Sequence, residues 1–186
     1  MALILTKLDK LKPYKCYQSI FDIDYDDLLS SGKSVIFFDI DNTIGSYADD
    51  VPCKETIQLF SDLKAKGLLI YLWSNSPLAR VRRYGEALGL PYLSKANKPF
   101  LGKIRKFILA NEIDLTSAIC VGDQIMTDCI LASKLGLQCI LVAPIDKSSE
   151  KWYTRLNRII IKIRLRWLKK KDPNTYEEIR RIQWKK

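Results

Sequence analysis

Histidine is missing from all 186 residues. That removes His-ligated zinc, an imidazole general base and any Ser-His-Asp triad together. Cysteine is sparse: Cys16, Cys53, Cys120, Cys129 and Cys139, with no Cys-x-x-Cys pair. An odd, unpatterned set of thiols points to a reducing compartment, and Cys120 and Cys139, inside apolar runs, read as buried free thiols. Eight Gly and seven Pro exclude fibrous and low-complexity classes. The N-terminal stretch Met1–Lys7 has too short an apolar run for a signal peptide and no small-residue cleavage site. No window approaches the ~18–20 apolar residues of a membrane-spanning helix. The expectation is a cytoplasmic protein, or one peripheral on the inner membrane face.

Acid is also missing from residues 151–171, which hold nine Lys/Arg. Residues 1–150 carry 18 basic and 18 acidic side chains, so the net charge of +10 lies wholly in residues 151–186. A neutral body with a basic appendage calls for an anionic partner at the appendage. At 47% apolar, the chain suffices for one globular core. Three segments follow: a lead-in over 1–33, a core over 34–150, and a basic amphipathic helix and tail over 151–186.

In the core, short apolar runs rich in β-branched and aromatic residues alternate with helical stretches. Strands are expected at 34–38, 68–73, 92–93, 118–121 and 138–142. Helices are expected at 53–66, from Pro77 to Leu88, at 99–111 and at 125–135, with Gly67, Gly89 and Gly136 as stops. That alternation predicts an α/β fold, a parallel sheet covered on both faces. In such sheets ligands collect at the carboxyl ends of the strands.

The polar residues with chemical potential fall there. Asp39-Ile40-Asp41-Asn42-Thr43 closes the first core strand. Two carboxylates two residues apart at a sheet edge can share a cleft, one attacking phosphorus while the other moves protons. Alone, the pair reads equally as an Asx turn. Ser74-Asn75 follows the second strand, where a hydroxyl and an amide at a helix start make a phosphate seat or an N-cap. Lys98, before Pro99, offers a cation for phosphate and for Asp39, or a solvated surface charge. Gly122-Asp123 follows the strand at 118–121, with Gly122 expected to permit a sharp turn and Asp123 to enter the same cleft. Asp128 is expected to orient metal waters or Lys98, or to favour a helix dipole. Hard carboxylate oxygens suit Mg²⁺.

In this order, each after a strand, the residues resemble the four motifs of the haloacid-dehalogenase-like (HAD) phosphohydrolase superfamily across residues 34–142. The resemblance implies a Rossmann-like three-layer sandwich and an aspartyl-phosphate mechanism with Asp39 as nucleophile and Asp41 as acid then base. It also implies Mg²⁺ on Asp39, the Asp41 backbone carbonyl and Asp123, phosphate on Thr43, Ser74, Asn75 and Lys98, and Asp128 in support. The 30 residues between Thr43 and Ser74 and the 22 between Asn75 and Lys98 leave no room for a cap domain. An open cleft admits phosphates on large or surface-bound molecules.

In the appendage, Trp152, Leu156, Ile159/Ile160, Ile163 and Trp167 recur at helical spacing, with Arg155, Arg158, Lys162, Arg166 and Lys169 on another face. Such a helix lies in an anionic membrane interface, or packs its stripe on the sheet. The lead-in Leu11-Lys12-Pro13, Asn97-Lys98-Pro99-Phe100 and the closing Trp152–Arg158 look like the cap-less subfamily IIIA phosphatases related to phosphatidylglycerophosphate phosphatases. By that resemblance the substrate is a phospholipid head group, phosphatidylglycerophosphate, and the partner is an anionic membrane through residues 151–171. The alternatives are a phosphatase of soluble sugar, nucleotide or nucleic-acid phosphates, and an RNA- or ribosome-binding protein with a vestigial site, nucleic acid being the other polyanion for the basic face.

Overall fold

A computed structural model describes residues 7–150 and 152–184. Most of the short apolar stretch Met1–Lys7 therefore lies outside the described residues.

In the core, the strands are β2 (Val35–Phe38), β3 (Leu69–Trp73), β4 (Tyr92–Leu93), β5 (Ala118–Gly122) and β6 (Gln138–Val142). A further strand in the lead-in, β1 (Lys15–Tyr17), pairs with β6. The six form one sheet in the order β1-β6-β5-β2-β3-β4, and every pairing is parallel. β2 lies near the middle, with Phe37 opposite Tyr71 on one side and Cys120 on the other.

Side chains alternate across the pleat, so each strand feeds two cores. Val35 and Phe37 face the cluster that holds Ile104, Ile125, Leu131, Ile161, Leu165 and Ile179. Ile36 and Phe38 face the cluster of Leu28, Phe60, Leu63, Val81, Tyr84 and Leu88. The second layer is therefore α1 (Tyr25–Ser30), α2 (Lys54–Ala65) and α3 (Leu78–Leu88). The opposite layer is α4 (Gly102–Ala110), α5 (Ile130–Leu135), α6 (Trp152–Lys171) and α7 (Pro173–Gln183). The three-layer α/β sandwich is the expected one. The Phe37 and Trp73 rings stack at 4.1 Å between centroids, filling the centre of one core.

Several elements differ from the sequence expectation. The helix expected at 99–111 starts only at Gly102, because Asn97 takes φ +60° and Phe100 N–H closes a turn on the Asn97 carbonyl. The helix expected at 125–135 opens as one π-helical turn, Ile125–Cys129, before α5 begins. The basic segment makes two helices, α6 and α7, joined at Asp172, whose carboxylate caps α7 through Thr175 N–H. Between Thr43 and Ser74 the chain holds a loop, α2 and β3, and between Asn75 and Lys98 it holds α3 and β4. Neither connection contains a cap domain, so the carboxyl edge of the sheet stays open. Among the described residues no helix is long and apolar enough to cross a membrane.

Candidate active site

Connections leave β2 toward β3 and return on its other side at β5, so the strand order reverses at the β2–β5 junction. A crevice opens at such a switch point beyond the carboxyl ends. Asp39 follows β2, its amide bonded to the Val121 carbonyl at 2.9 Å. Asp123 follows β5, and Lys98 arrives from the turn after β4. Among the described residues the buried charged side chains are Asp39, Asp41, Lys98, Asp123, Asp128 and Glu150, joined in or beside this crevice by ion pairs.

Lys98 Nζ donates to Asp39 Oδ1 at 2.6 Å and to Asp128 Oδ1 at 2.7 Å. Burial alone would lower the ammonium, but Asp128 and Asp39 raise it, so it stays charged. Burial holds Asp39 well above the ordinary carboxylate range, against the pull of Lys98 and helped by Asp128, Asp41 and Asp123. The π-helical turn aims Asp128 at Lys98, and Gly122 makes the approach feasible: a Cβ there would overlap the Asp128 carboxyl group. Gly122 is not in the left-handed region. Its role is space rather than the sharp turn the sequence suggested.

Asp41 is turned to the cleft wall. Ser74 Oγ and Ser76 Oγ donate to its Oδ2 at 2.8 and 2.7 Å, and Arg80 Nε donates to Oδ1 at 2.6 Å. Arg80 also reaches the Asp49 and Ser46 carbonyls at 2.5 and 2.6 Å. Ser74 is fully buried and its amide is engaged with the Leu93 carbonyl. The sequence expected that amide at a helix start, whereas α3 begins four residues later. The Asn75 side chain grips the Lys98 backbone, donating to its carbonyl at 3.1 Å and accepting from its amide at 2.7 Å. Thr43 Oγ1 is buried with no hydrogen-bond partner among the described residues. Asn42, at φ +63°, bonds the Asp146 carbonyl and Glu150, pinning the loop after Asp41.

Asp39, Asp123 and Asp128 each present a carboxylate oxygen, all within 4.8 Å of one another. Asp123 Oδ1 is buried without a hydrogen-bond partner among the described residues, and burial raises the Asp123 carboxyl to about 7, with Arg158 pulling it down and Asp128 and Glu150 pushing it up. Five acidic groups (Asp39, Asp41, Asp123, Asp128 and Glu150) surround three cations (Lys98, Arg80 and Arg158), two more acids than bases. An orphaned hard oxygen among acids in excess of their cations fits one Mg²⁺, whose binding displaces the protons that burial retains. By side chains this trio contains Asp128, not Asp41, whose carboxylate lies with Arg80.

Two cations were not legible as site residues. Arg80 sits in the first turn of α3, where the helix dipole disfavours a cation, and that misplacement was the available signal. Arg158 was expected on the solvated face of α6; it turns inward to Asp123 and Glu150. Thr154, Asn157, Tyr47 and Gln124 complete the cleft wall above Asp39 and Lys98.

A family model described as HAD-hydrolase-like matches residues 93–154. Probable phosphatase YqeG of Bacillus subtilis (strain 168) is 30% identical over 166 residues, 89% of this chain and 96% of that protein. Among solved structures, an uncharacterized protein from Listeria monocytogenes serotype 4b superposes with a TM-score of 0.49 at 16% identity, over 61% of this chain and 84% of that one. The 3-deoxy-D-manno-octulosonate 8-phosphate phosphatase of Moraxella catarrhalis, solved with magnesium, phosphate and KDO, gives 0.47 at 12% identity, over 74% and 91%.

Proposed function

This chain belongs to the HAD-like hydrolase family, and from that premise we propose that its phosphatase chemistry removes the terminal phosphate of phosphatidylglycerophosphate at an anionic membrane surface. It is a phosphoric monoester hydrolase, and Mg²⁺ is its cofactor. The observation that carries the lipid reading is α6. Trp152, Leu156, Ile159, Ile163 and Trp167 stand 46–75% exposed along one stripe, while Ile161, Leu165 and Leu168 on another face are buried in the core. The helix is thus docked by one apolar face and offers a second to the surroundings. Exposed Arg155, Lys162, Arg166, Lys169, Lys170 and Lys171 accompany it. The same helix begins at the cleft wall with Thr154 and Asn157. A basic helix with tryptophan at both ends, starting beside an open phosphatase cleft, suits a substrate held in a lipid interface.

In the chemistry, Asp39 attacks phosphorus in line as the bond to the glycerol oxygen breaks, and the phosphoryl group passes to the Asp39 carboxylate. Asp41, which must take up a proton before the cycle starts, gives it to the leaving alkoxide and then takes one from the water that hydrolyses the aspartyl phosphate, restoring Asp39 and releasing inorganic phosphate. Lys98 neutralises the phosphoryl oxygens and pulls against the burial that raises Asp39, and Asp128 fixes Lys98; Asn75 lines the cleft, while Thr43 and Ser74, assigned to the phosphate by the family motifs, stand buried behind it. Asp39, the Asp41 backbone carbonyl and Asp123 would hold Mg²⁺, which would supply further charge neutralisation for the transferring group. Arg80, Ser74 and Ser76 hold Asp41 beside the cleft.

The test is Mg²⁺-dependent phosphate release from phosphatidylglycerophosphate in anionic vesicles, set against glycerol 3-phosphate, sugar phosphates and nucleotides. The lipid should lead in kcat/KM by at least about a hundredfold, on the order of 2.7 kcal/mol of transition-state preference. A soluble phosphomonoester turned over as well as the lipid would overturn the substrate.

A further inference from the structure

Arg158 lies outside the four motifs yet touches the site at its most buried carboxylate. From the second turn of α6 its side chain, 12% exposed, carries the guanidinium to Asp123 Oδ2 and bonds Glu150 Oε1 at 2.6 and 2.8 Å. Its Nη1 reaches Gln183 Oε1, and the Asp123 carbonyl at 3.3 Å. Gln183, in α7, donates to that same carbonyl at 3.0 Å and to the Val142 carbonyl at 3.1 Å. Glu150 closes the chain of contacts by accepting from Asn42 Nδ2 at 3.1 Å, one residue past Asp41. Both C-terminal helices therefore end on Asp123, one on its side chain and one on its backbone.

The consequence for Asp123 is asymmetric. Oδ2 is taken by Arg158, and Oδ1 is left buried beside Asp39 and Asp128 with no hydrogen-bond partner among the described residues. A carboxylate free to rotate about its last torsion presents either oxygen; one held at Oδ2 by a guanidinium that is itself anchored on Glu150 and on the Asp123 carbonyl presents a defined one. We propose that Arg158, backed by Gln183 and Glu150, is a positioning residue that presents Asp123 Oδ1 to Mg²⁺, so that α6 and α7 are part of the metal centre and not an appendage to it. The proposal rests on the reading of this crevice as a Mg²⁺ site.

Electrostatics and positioning predict opposite signs. As a bare charge, Arg158 repels a divalent cation, and removing it would tighten Mg²⁺ binding. As a positioning group it orders the ligand, and its loss loosens binding; partners behind metal ligands typically govern affinity by about 10–100-fold. A purely structural role would shift the melting temperature and leave the affinity of the folded protein alone.

The experiment is calorimetric titration of the full chain with Mg²⁺, with Mn²⁺ electron paramagnetic resonance as a second readout of coordination. Arg158→Gln should bind Mg²⁺ about 10–100-fold more weakly, and Arg158→Lys should recover part of the loss, since an ammonium lacks the fork. Gln183→Met should loosen binding severalfold without touching the carboxylate. Wild-type or tighter affinity in Arg158→Gln overturns the proposal. Should that variant fail to fold, unchanged affinity in Gln183→Met overturns it instead. A wild-type chain that binds no Mg²⁺ defeats both the proposal and the metal site, whereas one that binds Mg²⁺ but releases no phosphate defeats the functional reading alone.

Discussion

An aspartate that attacks phosphorus must be ionised, and burial at Asp39 works against that. Lys98, at 2.6 Å, is the opposing influence, and its own charge is secured by Asp128. Replacing Asp39 by Asn keeps the shape of the side chain and removes the nucleophile. Asp39→Asn should abolish Mg²⁺-dependent phosphate release while leaving the circular dichroism spectrum and melting cooperativity intact; measurable turnover at the wild-type rate would sink the mechanism. Asp123 supplies a pH prediction. Its carboxyl is raised to about 7, chiefly by burial, so without metal the folded state holds a proton that the unfolded chain has lost. The metal-free protein should accordingly lose stability as pH rises from about 4, the usual carboxylate range, through 7. Mg²⁺ must displace that proton, so its stabilising effect should be small at about pH 5.5 and grow through neutrality. Thermal melts with and without Mg²⁺ across this range measure it, and a shift independent of pH would contradict the protonation of Asp123.

Elements were legible where burial leaves an unambiguous pattern. The buried strands β2, β5 and β6 read as apolar runs because helices cover both their faces, and the Asp39, Asp123 and Lys98 positions followed from the strand ends. β1 left no such mark: Lys15-Cys16-Tyr17 is three residues at a sheet edge, all half-buried. The π-helical turn at Ile125–Cys129 was equally hidden, since one extra residue in a turn does not alter an apolar repeat over so short a span. In α6, three consecutive isoleucines, Ile159-Ile160-Ile161, let two apolar faces overlap in the sequence, and periodicity does not say which face meets the body. The inward turn of Arg158 follows from that choice of face, which is why a cation of the metal centre read as a solvated charge. The two faces separate by mutation. Leu165 is fully buried, so Leu165→Ala should cost about 2–5 kcal/mol. Ile163 is 53% exposed, and Ile163→Ala should stay within about 0.5 kcal/mol of wild type. Denaturant unfolding of both variants checks this, and equal losses would mean that the docked face is misassigned.

At the scale of the whole molecule, charge and shape divide along the same line. Residues 1–150 are electrically balanced and the +10 excess sits on residues 151–186. Yet the body and the basic segment are not separable parts: Lys12 bonds Asp172, Lys147 bonds the Gln183 carbonyl, and Arg158 enters the active site. Deleting residues 151–186 to test membrane binding would therefore open the metal centre as well, and loss of activity in that truncation would carry two causes. Point changes on the exposed stripe avoid the confusion. Ile163 and Trp167 border a groove with Leu8, Ile160 and Lys170, none of which lines the cleft at Asp39. The basic side chains around them attract an anionic surface by about 1 kcal/mol each, an attraction that fades beyond a Debye length of ~8 Å at physiological salt. The wild-type chain should therefore sediment with phosphatidylglycerol-containing vesicles, bind weakly to zwitterionic ones, and be released as salt is raised. Ile163→Glu combined with Trp167→Glu should abolish sedimentation and lower turnover of vesicle-borne phosphatidylglycerophosphate at least about tenfold, roughly the worth of one lost interfacial contact, while turnover of a soluble phosphomonoester holds at the wild-type rate. If the wild-type chain stays in the supernatant with anionic vesicles, or the double variant pellets as fully as the wild type, the exposed face of α6 is not the membrane-binding surface.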